Sequence, residues 1–105
     1  MKVNETSFLA LASLLQGPRH GYGIKKDIER LSDGRLRVST GSLYASLDRL
    51  TAEDLVVRDA DEVVDGRSRR YFRLTDSGRE RVLDEARRMQ ATSRDVLRLA
   101  DEATG

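Results

Sequence analysis

The sequence contains no cysteine, no tryptophan, one proline and one histidine. Without cysteine, disulfides, thiolate zinc sites and cysteine nucleophiles are excluded. A single histidine, His20, cannot build a histidine-based metal site, so no metal and no cofactor are expected. The acids are spread through charged segments and form no acid–base pair, so an enzyme is not expected either. Aromatic residues make up only 5% of the chain: Phe8, Phe72, Tyr22, Tyr44 and Tyr71. No apolar segment approaches the ~20 residues of a membrane span. Pro18-Arg19-His20 follow the first apolar run too closely for a signal peptide. These absences predict a soluble, cytoplasmic protein without membrane contact. Its 105 residues give room for one compact domain.

Charge, by contrast, is abundant: 35% of residues carry one, and they sum to only +1. The near balance hides segregation. Residues 66–81 hold six arginines against two acids, and residues 17–37 hold six basic against three acidic side chains. Residues 59–65 hold Asp59, Asp61, Glu62 and Asp65 with no base. Two basic zones on a near-neutral chain point to a surface that faces a polyanion.

Hydrophobic periodicity predicts a first helix from Thr6 to Gln16, where Phe8, Leu9, Leu11, Ala12, Leu14 and Leu15 form a wide apolar stripe ended by Gly17-Pro18. Ile24, Ile28 and Leu31 predict a second helix over 21–32, with Gly34 suited to a left-handed C-terminal cap. Ser39 is a good N-cap for a third helix, whose Leu43, Leu47 and Leu50 share one inward face. Two strands follow, at 55–58 and 70–74, joined by a long charged tip containing Gly66. A last helix begins near Thr75 and runs from Asp76 to Asp101. In it Val82, Ala86, Met89, Ser93, Val96 and Ala100 step by alternating fours and threes, a heptad seam widened by Leu83 and Leu97. Such a helix is too long for so small a domain to cover, so its seam calls for a second copy. The expected dimer contact comprises Phe8, Leu11, Leu15, Val82, Ala86, Met89, Val96, Leu97 and Ala100.

The order helix, helix, helix, strand, strand, long helix describes a mostly α protein with a β-hairpin wing: a winged helix-turn-helix followed by a C-terminal dimerisation helix. Residues 1–75 form the winged part and residues 76–105 the dimerisation helix, as one compact unit. A major groove about 12 Å wide admits one helix, and Thr40-Gly41-Ser42 supply a small, polar helix start that lets the backbone approach. Free N–H groups at that start can hold a phosphate. The wing tip Gly66-Arg67-Ser68-Arg69-Arg70 joins a flexible glycine to guanidinium groups suited to phosphate contact or to the narrow minor groove. The candidate DNA-binding residues are Tyr22, Lys25, Ser39, Thr40, Gly41, Ser42, Tyr44, Arg49, Gly66, Arg67, Arg69 and Arg70. His20, at its turn before the second helix, reads as a turn or capping residue.

Three segments carry a specific resemblance. Leu15-Gln16-Gly17-Pro18-Arg19-His20-Gly21-Tyr22-Gly23-Ile24, then 39–50 around Gly41-Ser42-Leu43-Tyr44, then 66–78 around Gly66-Arg67 and Arg69-Arg70 resemble, in order, the PadR family of bacterial transcriptional regulators. The short C-terminal tail is similar to the subclass with a single dimerisation helix. The resemblance implies a homodimeric DNA-binding repressor. Gly41, Ser42, Leu43 and Tyr44 would open its recognition helix, Tyr22 would lie near the DNA backbone, and Gly66, Arg67, Arg69 and Arg70 would form the basic wing. The family usually has proline before the glycine of the recognition helix and after its tyrosine; here Thr40 and Ala45 stand there. Both fit a helix start, so the departures bear on base preference and not on the fold.

The implied function is repression of the chain's own or a neighbouring operon, by a dimer placing two recognition helices in successive major grooves about 34 Å apart on a pseudo-palindrome. Many relatives release DNA on binding a small effector molecule near the dimer interface; this chain has no tryptophan for stacking, and only Phe8 of the aromatics lies on a terminal helix. The alternative reading is a winged-helix protein–protein interaction module without specific DNA binding, favoured by the acidic stretch 59–65.

Overall fold

The computed structural model describes residues 4–59 and 61–104; residues 1–3 and Gly105, the outer ends of the expected two-part division, lie outside the described residues. Helix α1 (Glu5–Ser13) starts one residue earlier than its periodicity predicts, because Asn4 accepts a hydrogen bond from the Ser7 N–H at 2.8 Å. It also ends sooner: Leu14–Gln16 tighten into a 3-10 turn, and Gly17, at φ 135°, redirects the chain. Strand β1 (Arg19–His20) leads directly into α2 (Gly21–Leu31). His20 is the N-cap, its Nδ1 accepting from the Gly23 N–H at 3.1 Å. Asp33, at φ 55°, takes the left-handed position directly after the helix and donates to the Arg30 carbonyl at 3.1 Å; Gly34, expected there, stands one residue further on at φ 77° and donates to the Glu29 carbonyl at 2.7 Å. Helix α3 (Thr40–Ala52) is capped by Ser39, whose hydroxyl accepts from the Ser42 N–H.

Four strands follow: β2 (Val56–Arg58), β3 (Glu62–Val64), β4 (Arg67–Arg69) and β5 (Tyr71–Leu74). They make two ladders. One is an antiparallel sheet in the order β1-β5-β2, with Arg19 opposite Phe72 and Val56 opposite Leu74. The other is the β3–β4 hairpin, with Glu62 opposite Arg69 and Val64 opposite Arg67. The expected polar tip is therefore itself a hairpin, because Asp65-Gly66, both at positive φ, form the two-residue turn whose twist matches paired strands. Helix α4 (Asp76–Thr104) has Thr75 at its start, the hydroxyl accepting from the Gly78 N–H at 2.9 Å and donating to the Asp54 carbonyl at 2.6 Å.

The core lies among α1, α2, α3, β2, β5 and the first turns of α4. Leu11, Ile24, Ile28, Leu43, Leu47, Leu50, Val56 and Val82 are fully buried, each side chain contributing roughly 1.5–3 kcal/mol. Two corrections to the expected dimer contact follow. Leu11 is 0% exposed and Val82 2% exposed, so both belong to this chain's own core and offer no surface to a second copy. Phe8 and Leu15 are half-buried against the same core. Leu31, expected on the inward face of α2, is exposed, since it falls in the last turn where the helix runs past the core. Asp27 joins three elements: it accepts from the Ser13 hydroxyl at 2.7 Å and pairs with Arg19 at 2.9 Å and with Arg30 at 3.4 Å. At the far end of α1, Arg35 grips Glu5 through both nitrogens of its fork and holds that carboxyl below its ordinary value. Among the described residues no helix is long and apolar enough to cross a membrane, and no cluster of His, Cys, Asp and Glu could hold a metal ion.

Candidate nucleic-acid interface

The starts of α2 and α3 and the wing hairpin enclose an open cleft of about 740 Å³. Each wall has a local cause. The N-caps His20 and Ser39 begin two helices side by side, so α2 presents Tyr22 and Lys25 where α3 presents Thr40 and Tyr44. The Asp65-Gly66 turn folds β4 back across the opening and brings Arg67, Arg69 and Arg70 to the third wall. Gly21 leaves room at this junction: a Cβ on it would displace the Tyr44 hydroxyl and ring.

Tyr22 is 54% exposed, with the Lys26 ammonium 5.2 Å and the Arg69 guanidinium 5.9 Å from its ring centre. It lies parallel to His20 at 6.4 Å, and His20 meets Tyr71 edge-on at 5.5 Å. Tyr44 is half-buried, 6.2 Å from Phe72 and 6.0 Å from the Arg70 guanidinium. Arg58 and Asp61 also line the cleft and pair with each other at 3.1 Å. Lys25, Arg58, Arg67, Arg69 and Arg70 make the cleft a concave, strongly positive surface whose one acid, Asp61, is already paired.

Of the candidate DNA-binding residues, Tyr22, Lys25, Thr40, Tyr44, Arg67, Arg69 and Arg70 line this cleft. Ser39, Gly41, Ser42, Arg49 and Gly66 do not. Ser39 is occupied as the cap, while Gly41 and Ser42 stand exposed beside it and a Cβ on Gly41 would meet open space. Arg49 sits exposed in the last turn of α3. His20, Lys26 and Arg58 join the site without having been expected there. His20 carries no periodic or charge signal, and Arg58 enters only because β2 pairs with β5.

The model of the Transcriptional regulator PadR-like family matches residues 10–84. A transcriptional regulator of Mycobacterium tuberculosis is 38% identical over 78 residues, which is 74% of this chain and 69% of that protein. An uncharacterized protein in a transposon of Streptomyces fradiae is 43% identical over 100 residues, covering 95% of this chain but only 27% of its own length. A PadR family transcription regulator from Clostridium difficile superposes with a TM-score of 0.77 at 18% identity, covering 91% of this chain and 98% of that one. The Bacillus subtilis PadR, solved in complex with operator DNA, superposes with a TM-score of 0.69 at 20% identity, covering 79% of this chain and 47% of that one. These structures share the fold of this chain, and the Mycobacterium tuberculosis relative and both of them are transcription regulators. A family match over residues 10–84, with a relative covered over two thirds of both chains, leaves one conclusion: this chain belongs to the PadR-like family of transcriptional regulators.

Proposed function

We propose that the chain is a homodimeric repressor that binds a pseudo-palindromic operator in double-stranded DNA, upstream of its own gene or of a neighbouring operon. The observation that carries this reading is the convergence of the α3 start and the wing arginines on one positive cleft. On this reading the exposed N-terminal turn of α3, with Thr40 at the cleft and Gly41 and Ser42 beside it, enters the major groove. Lys25 and Arg67 take flanking phosphates, and phosphate contacts set the register while base edges set the sequence. Residues 1–75 serve as the DNA-binding part and residues 76–105 as the part that pairs two copies. The exposed apolar residues Met89, Val96 and Leu97 on α4 support a second copy there. The relative from Bacillus subtilis, whose structure holds operator DNA, supports DNA as the ligand.

Release by a small molecule belongs to the same proposal. An apolar groove of about 490 Å³ lies among Phe8, Leu9, Leu31 and Met89, beside the Glu5–Arg35 pair. An apolar effector lodged there would bias the spacing of the two recognition helices. The protein-module reading loses support, because Asp59 and Asp61 of the acidic stretch lie against Arg73 and Arg58.

Fluorescence anisotropy tests the proposal, comparing the DNA upstream of the chain's own gene with a scrambled duplex at two salt concentrations. Preferential binding is expected, weakening with salt by a log–log slope of about 0.9 per phosphate contacted. Equal, weak binding to both duplexes overturns it.

A further inference from the structure

We infer that Tyr22 and Tyr44 are positioning residues that hold the wing at a set distance from the recognition helix, through cation–π contacts with Arg69 and Arg70, and that Arg67 is the wing cation left to reach DNA; this rests on the DNA-binding reading above.

The wing needs such a device. Its β3–β4 ladder lies beyond the β1-β5-β2 sheet among the described residues, joined at its base by the Asp59 N–H donating to the Tyr71 carbonyl at 2.8 Å, and a two-stranded ribbon has little stability of its own in water. Among the described residues no ladder bond ties the hairpin to α2 or α3. The side chains do. Arg69 is half-buried, its Nε shielded from water and without a hydrogen-bond partner among the described residues, and its guanidinium lies over Tyr22. An arginine serving DNA alone would stand in solvent. Tyr22 is itself backed by His20, which caps α2 and meets Tyr71 edge-on. A continuous run of rings therefore links β5, through the cap of α2, to the wing arginine. A second cation–π contact repeats the plan: Arg70 lies over Tyr44, which rests on Gly21 and Phe72. Arg67 is different. It is exposed, and among the described residues it makes no ion pair, hydrogen bond or ring contact. Two arginines hold the wing and one remains for the phosphate.

Because the chain has no cysteine, spin labels can be placed cleanly. Val63→Cys on β3 and Asp48→Cys on α3 are both exposed and report the distance across the cleft. With the native tyrosine a narrow distance distribution is expected. Tyr22→Leu should broaden it and Tyr22→Phe, which keeps the ring, should not; a distribution equally narrow in Tyr22→Leu overturns the inference. Tyr22 is exposed enough that the fold survives either change, which the melting temperature checks. On the duplex from upstream of the gene, Arg69→Ala should weaken binding about two- to fivefold, as expected for one exposed cation–π contact, with its salt slope unchanged. Arg67→Ala should lower that slope by about 0.9. An Arg69→Ala slope that falls as far as the Arg67→Ala slope also overturns the inference. If the unaltered protein prefers no duplex, the functional reading fails, and the label distances still decide whether the tyrosines hold the wing.

Discussion

At Gly78 the backbone of α4 passes so close to Leu55 that an added Cβ would collide with the carbonyl oxygen and carbon of that residue. Backbone cannot yield as a side-chain end can. Gly78→Ala is therefore expected to lower unfolding stability by about 3 kcal/mol, measured by urea denaturation. Gly41 presents the opposite case, since it lies within α3 with open space where a Cβ would go. Gly41→Ala should raise stability by about 0.4–1 kcal/mol by restricting the unfolded chain, yet weaken DNA binding by blocking close approach of the helix start. Parallel gains in stability and affinity would show that the glycine has no role at the groove. Glu5 adds a pH dependence. Its carboxyl is held below the ordinary value by hydrogen bonding to Arg35, with their charge attraction adding to this. A depressed folded value means stability present above the unfolded value and lost as pH falls through the folded one. The stability difference between the native chain and Glu5→Gln should be small, because the pair is exposed and screened by salt. It should be positive at neutral pH and shrink toward zero on acidification.

The start of α4 shows how much one cap decides. Thr75 accepts from Gly78 and donates to the Asp54 carbonyl, tying the helix to the turn that follows α3. Thr75→Val keeps the shape and removes both bonds, so a loss of about 1–2 kcal/mol is expected in thermal or urea unfolding. Thr75, Ser39 and the apolar spacing of Leu43, Leu47 and Leu50 were readable from the chain because caps and helical stripes are local signals. What escaped depends on partners distant in sequence. Strand β1 is two residues long and exists only because β5 lies beside it. The tip strands are not legible as strands although Asp65-Gly66 is a hairpin turn signal, since a run so rich in charge reads as a loop. Leu11 and Leu15 share one stripe, and only packing against α2 and α3 separates core from periphery. At the site, the basic wing and the helix start were legible as composition. The cation–π contacts of Arg69 and Arg70 with tyrosines were not, because they depend on how the hairpin folds across the cleft.

The radius of gyration is 16.1 Å and the longest extent 61 Å, whereas a compact chain of this length has a radius of roughly 13 Å. The excess comes from α4, which continues past the core and is exposed throughout from Ala86 onward. Along that stretch Met89, Val96, Leu97 and Leu99 are 49–67% exposed. Their helix is braced internally by pairs such as Arg98 with Asp95 and Glu102, at 3.4 and 3.6 Å. Each such pair contributes only about 0.2–0.5 kcal/mol, too little to explain an apolar stripe left in water. A second α4 laid along the stripe would bury it and set the two recognition helices at a fixed separation, so dimerisation and operator spacing become one property. Changing Met89 and Val96 together to Glu should then yield monomers by light scattering, with lost helix signal in circular dichroism as the uncovered end of α4 frays. DNA binding should fall with the dimer, since one half-site contact replaces two. A dimer that survives both charges would place the contact elsewhere, and α4 would need another partner for its exposed face.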